Sequence, residues 1–126
     1  KSYTKDNKKQ MSKLVEEFNA YRSKMNDKLL NENSKIIKRI FNLDANAYQA
    51  GTLDSATKEL LGLVASTVLR CDDCMRYHLE ECYKNKVPKS AVLESLEIAT
   101  LVGGTIVVPH LRRAIEYWEA LEQNED

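Results

Sequence analysis

The chain has no surplus of charge of either sign. Lys+Arg and Asp+Glu each count 19 in 126 residues, for a formal net charge of +0. Binding to nucleic-acid phosphates needs a basic surplus or patch, so no nucleic-acid partner is expected. The nearest approach to a basic cluster, Lys35, Lys38 and Arg39, alternates with Ile36, Ile37 and Ile40, which reads as the solvated side of an amphipathic helix. Long apolar runs are missing too. None approaches the roughly 20 residues that span a bilayer, so no membrane partner is expected. The polar stretch Lys1 to Gln10 lacks the apolar core of a signal peptide. Cysteines are few and odd in number, three, whereas disulfide-stapled secreted domains usually carry an even number. These absences point to a cytoplasmic, reducing setting, where a close cysteine pair is more often catalytic or metal-binding than structural. No internal repeat and no low-complexity segment interrupts the chain, and its length fits a single domain.

What is present is helical periodicity throughout. Leu14, Val15, Phe18, Tyr21, Arg22 and Met25 recur at three and four, predicting a first helix from about Asp6 to Lys28. A second carries Ile36, Ile37, Ile40 and Phe41, with Tyr48 near its end, and Gly51-Thr52-Leu53-Asp54 closes it. Asp54 or Ser55 suits the N-cap of a third helix with Leu60, Leu61, Leu63, Val64, Ala65, Val68 and Leu69. That helix is apolar nearly all round and is expected at the centre of the core or at a subunit interface. A fourth starts near Cys71 and runs to about Asn85. Pro88 sits near the first position of a fifth, Gly103-Gly104 ends it, and Pro109 opens a sixth through Trp118 and Leu121. Thr105 to Val108 reads as a packed connector or first helical turn. The expected fold class is all-α with about six helices, residues 1–50 forming a helical extension to a core at 51–126.

The chemistry concentrates in Cys71-Asp72-Asp73-Cys74-Met75-Arg76-Tyr77-His78, a C-x-x-C-x-x-x-H string without glycine or proline. Helical residues three apart share a face with Cα atoms about 5 Å apart, inside the range a disulfide tolerates. His78 lies one turn beyond Cys74 on the same stripe and can hold or take a proton near neutral pH. Both cysteines would occupy the first turn of the fourth helix, where free N–H groups and partial positive charge favour a thiolate. Asp72 and Asp73 oppose that, but helix geometry turns them about 100° and 200° from Cys71, so they are expected to face water. The bland alternative is a buried cysteine pair beside a surface histidine.

Glu59 is the candidate third partner. On one continuous helix it would lie about 18 Å from Cys71. If the chain reverses near Arg70-Cys71, the third and fourth helices run antiparallel and Glu59 comes level with residues 78 to 82, to orient His78. Its plain alternative is a surface glutamate supporting a helix start. Cys82 continues the Cys74, His78 stripe and invites a zinc reading, yet Cys71 and Cys82 would be about 16 Å apart along the axis. With His110 the only other histidine, no metal and no cofactor is expected, and Cys82 reads as a small buried hydrophobe.

These residues resemble the carboxymuconolactone decarboxylase family in its alkylhydroperoxidase-D-like branch. The matching features are Leu53-Asp54 with Lys58-Glu59-Leu60, then the C-x-x-C-x-x-x-H string, Val87-Pro88 to Glu94, and Gly103-Gly104. The resemblance implies an all-helical fold assembling into trimers or hexamers, with thiol peroxidase or disulfide reductase activity. By it, Cys74 attacks the peroxide, Cys71 resolves the sulfenic acid as a disulfide, and Glu59 and His78 relay protons. A small hydroperoxide or a protein disulfide would be the substrate, and a thiol reductant protein would restore the pair. Asp72-Asp73 stands where family members often carry an aromatic residue. The rivals are a decarboxylase-like enzyme acting on a small carboxylated ring and a non-enzymatic, redox-sensing helical oligomer.

Overall fold

A computed structural model describes residues 4–124; Lys1 to Tyr3 of the polar N-terminal stretch and the last two residues lie outside it. The described chain is all-helical: α1 Lys5–Asn31, α2 Lys35–Ala47, α3 Ser55–Val68, α4 Asp72–Lys84, α5 Lys89–Gly103 and α6 Val108–Asn124, with a 3-10 turn at Thr105–Val107 before α6. The starts follow side-chain chemistry. Thr4, Ser34 and Asp54 each accept the backbone N–H three residues on, at 3.2, 3.3 and 2.7 Å, satisfying a donor the helix leaves open. Pro88 stands at the N-cap of α5 itself, one residue before the first helical position expected for it.

The ends are closed largely without glycine. Asn33, Arg70 and Lys86 adopt φ of 60°, 62° and 60°, a left-handed conformation that costs a non-glycine residue about 1 kcal/mol. In return the Cys71 N–H reaches the Ser66 carbonyl and the Val87 N–H the Cys82 carbonyl, both at 3.0 Å, which is the Schellman closure. Arg70 thereby reverses the chain immediately before the cysteine string and sets α3 and α4 antiparallel. Gly104, at φ 86°, ends α5 where a side chain would be strained.

In the packing, α6 lies against α1 and α4, while α3 joins α4 to α5. Leu63, Met75, Leu79, Cys82, Val92, Leu96, Tyr117 and Trp118 form the centre, each buried leucine or methionine contributing about 2 kcal/mol relative to exposure. The first helix belongs to this core through Val15 and through Phe18, which meets Tyr117 edge-on at 5.6 Å. Glu80 ties three helices, accepting from Asn19 of α1 at 2.7 Å and Tyr117 of α6 at 3.3 Å. The third helix does not occupy the centre of the chain. It buries Glu59, Gly62, Leu63, Ser66 and Thr67 and turns Leu61 and Leu69 outward, the latter 77 % exposed. Of that inward face, Glu59 and Gly62 belong to the site, while the Thr67 hydroxyl donates to the Leu63 carbonyl at 2.7 Å. α2 buries nothing and leaves Ile36, Ile40 and Leu43 exposed.

Candidate active site

The cysteine string opens α4 in a defined way. Cys71 is the N-cap, and its Sγ accepts the N–H of Cys74 at 3.3 Å. The two residues, with Cα atoms 5.4 Å apart, are joined as a disulfide. Cys74 is exposed and Cys71 half-buried. Cys82 is free and fully buried; desolvation, then the charges of Glu59 and Glu81, push its thiol up to about 12, so it is inert at neutral pH. Among the described residues, no group of three or more His, Cys, Asp or Glu side chains is arranged to hold a metal ion.

Because α3 and α4 are antiparallel, Glu59 does meet His78. Glu59 Oε1 lies 2.8 Å from His78 Nδ1, and both residues are buried, at 5 % and 7 % exposure. Neither is therefore the surface group that the plainer alternatives require. Burial raises the Glu59 pKa above its usual value, with the His78 hydrogen bond and charge pulling the other way. The pair is thus a carboxylate reluctant to be charged, held against an imidazole. Tyr77 meets the His78 ring edge-on, with centroids 5.3 Å apart.

Asp72 does not face water as its helical angle suggests. It is clamped by α6, accepting from His110 Nδ1 and Arg113 Nε, each at 2.7 Å. Burial opposes its ionisation, but these hydrogen bonds and the Arg113 charge outweigh it and hold the carboxyl below its usual range. The clamp pins the first turn of α4 to α6 and offsets a negative charge beside Cys71. Asp73 remains exposed, 4.0 Å from Arg76.

A cavity of about 630 Å³ opens over the site between α1 and α4. Leu14, Phe18 and Tyr21 form one wall, and Cys74, Tyr77 and His78 the other. Arg22 lies 4.0 Å over the Tyr77 ring, a cation–π contact that ties the two walls. The N-terminal helices thus shape the approach to Cys74. Sequence periodicity marks α1 as amphipathic but does not say that its stripe borders a cleft.

Three further residues of the site are given no role by the sequence. Tyr48, the C-cap of α2, brings its hydroxyl to 3.4 Å from His78 Nε2. Gly62 makes room for both: a Cβ there would lie 2.6 Å from His78 Cε1 and 2.7 Å from the Tyr48 oxygen. Lys58 donates to the carbonyls of Ala47 and Gln49 at 2.8 and 2.6 Å. It thereby caps the negative end of α2 and fixes the backbone on both sides of Tyr48.

The profile of the carboxymuconolactone decarboxylase family matches residues 35–117. A Thermotoga maritima protein of that family, for which a role in antioxidative response has been suggested, is 50% identical. Its crystal structure superposes with a TM-score of 0.83, covering 86% of this chain and 92% of that one. A second crystal structure of that same Thermotoga maritima protein gives 0.84, covering 86% of this chain and 96% of that one. A Legionella pneumophila family protein, at 24% identity, shares the fold alone, with a TM-score of 0.60 over 96% of this chain and 99% of that one. An uncharacterised Cupriavidus necator protein is 29% identical over 75 residues, 60% of this chain; the chain spans 66% of that relative's length, just under two thirds. The profile match takes in α2 through most of α6, and with them Tyr48, Glu59, both bridged cysteines and His78. The chain belongs to the carboxymuconolactone decarboxylase family.

Proposed function

We propose that the protein is a cofactor-free thiol peroxidase or disulfide reductase of the alkylhydroperoxidase-D-like kind. The observation that carries this reading is the meeting, at one cavity, of a bridged Cys71–Cys74 pair with the buried Glu59–His78 pair. In the reduced enzyme, Cys74 gives its proton to the His78 relay and its thiolate attacks the terminal oxygen of a hydroperoxide. The O–O bond breaks, the alkoxide takes up a proton and leaves as an alcohol, and Cys74 becomes a sulfenic acid. The Cys71 thiolate then attacks the Cys74 sulfur, expelling hydroxide that is protonated to water. Two electrons from a dithiol reductant protein restore the pair. Attack on Cys74, the exposed sulfur, releases Cys71 as a thiolate at the helix N-terminus, where the Cys74 N–H stabilises it. The suggested antioxidative role of the Thermotoga maritima relative agrees with this. Regeneration by thiols suits a cytoplasmic, reducing compartment, and no described helix is long and apolar enough to cross a membrane.

A thiol count by mass spectrometry, before and after one equivalent of hydroperoxide, tests the reading. Two thiols are expected to disappear as a Cys71–Cys74 disulfide while Cys82 stays reduced. A bridge to Cys82, or an unchanged count, would sink it. One observation favours the decarboxylase reading: Arg76, 4.0 Å from Asp73, lines the cavity and puts a guanidinium where a carboxylated ring would need one. That reading gives the cysteines no task and predicts the unchanged count.

The outward face of α3 and α5 sets the expected assembly. Leu61, Leu69, Ile98 and Val102 are exposed and line one apolar groove, the kind of surface that marks a protein–protein contact. A second copy of the chain covers it in the trimer or hexamer we propose. Sedimentation at micromolar concentration is expected to show that oligomer, and a monomer would refute it.

A further inference from the structure

Both nitrogens of the His78 ring already have partners. Glu59 Oε1 is 2.8 Å from Nδ1 and the Tyr48 hydroxyl 3.4 Å from Nε2. With Nδ1–H donating to the Glu59 carboxylate, Nε2 carries the lone pair and accepts the phenol proton. The Tyr48 hydroxyl therefore holds Nε2, and with it the plane of the ring, before any proton arrives.

The position of Tyr48 is built, not incidental. Lys58 clamps the carbonyls on either side of it, and Gly62 opens the notch in α3 that admits its hydroxyl and the imidazole together. The Tyr48 and His78 rings pack at 5.1 Å between centroids. Burial, then the charges of Asp44 and Glu59, raise the phenol above its usual pKa, so it keeps its proton at neutral pH and can donate it. Lys58 and Glu59, adjacent on α3, thus hold Tyr48 and His78 respectively.

We propose that Tyr48 is a positioning residue of the proton path, completing a Glu59–His78–Tyr48 chain that fixes the tautomer and orientation in which Nε2 takes the Cys74 proton. This rests on the thiol-peroxidase reading above. In the step, the phenol releases its hydrogen bond to Nε2 as that nitrogen takes up the Cys74 thiol proton. The products are a Cys74 thiolate and an imidazolium held by Glu59. The same path returns the proton to the alkoxide when Cys74 is oxidised and the peroxide reduced. Tyr48 thus gives the α2 helix a part in the chemistry.

Tyr48→Phe keeps the ring and removes only the hydroxyl. Two measurements on the reduced full-length protein decide the matter. In ¹⁵N NMR of labelled histidine, Nε2 of His78 is expected to move downfield in the variant as its lone pair loses the hydrogen bond. In a single turnover with cumene hydroperoxide at pH 7, disulfide formation is expected to slow roughly fivefold to tenfold, the rate equivalent of one lost hydrogen bond, with melting unchanged. An unmoved Nε2 resonance, or a rate equal to or faster than wild type, overturns the proposal. If wild type itself is not oxidised by the peroxide, the thiol-peroxidase reading fails and the proton path falls with it, while the resonance still shows whether Tyr48 holds His78.

Discussion

Cys74→Ser is expected to abolish hydroperoxide consumption, whereas Cys71→Ser leaves a single turnover that stops at a trappable sulfenic acid. The asymmetry follows from where α4 begins. Cys74 is exposed and shares the cavity wall with His78, so peroxide and relay both reach it. Cys71, half-buried at the N-cap, has its sulfur on the N–H of Cys74. That placement favours a thiolate suited to resolve or to leave rather than to meet substrate. Neither substitution threatens the helix: serine is a preferred N-cap at position 71, and position 74 is exposed. The Cys71→Ser sulfenic acid should react with dimedone at Cys74 after one equivalent of peroxide. Labelling of Cys71 in Cys74→Ser, with none at Cys74 in the reciprocal variant, would reverse the two roles.

How far this site could be read from the sequence depended on whether one helix pair or several elements set each residue's place. The Glu59–His78 contact needed only the helical rise and a chain reversal near Arg70; the rise follows from helix geometry, whereas the reversal, made by a non-glycine residue at φ 62°, stands in the sequence only as a condition. The C-x-x-C spacing likewise fixes the bridge locally. Asp72 was misplaced because its angle on α4 says nothing of α6, which brings His110 and Arg113 across 38 and 41 residues. For the third helix, apolar content alone leaves open the centre of the core or a subunit interface and does not say which face turns inward. Glu59, Ser66 and Thr67 face in beside Leu63, Glu59 paired with His78 and Thr67 bonded to the Leu63 carbonyl, while Leu61 faces out. Tyr48 was counted merely as an apolar position of the second helix. Its place depends on a lysine side chain gripping backbone carbonyls nine and eleven residues back, and no periodicity reports that.

The relay itself predicts a second large effect. Glu59→Gln and His78→Gln are each expected to slow Cys74 oxidation on the order of 10²-fold, the usual scale of a positioned general base. Because both act along one proton path, the double variant should be little slower than the slower single one. Stability separates this from a merely structural role. Burial raises the folded pKa of Glu59, so the folded state holds its proton more tightly than the unfolded chain does. The stabilisation this brings is complete below the unfolded pKa, about 4.3, and is lost as pH rises through the folded value. Glutamine, always neutral, does not titrate. Wild type should therefore lose melting temperature relative to Glu59→Gln as pH rises above about 4.3 and through the folded pKa, and at pH 7 the variant should melt no lower than wild type. A glutamate that only supported the start of α3 would give the opposite pair of results: a lower melting temperature in Glu59→Gln at pH 7 and an unchanged rate. Rate and melting temperature taken on the same samples decide between them, and an oxidation rate within about twofold of wild type, far short of a general-base effect, would end the relay.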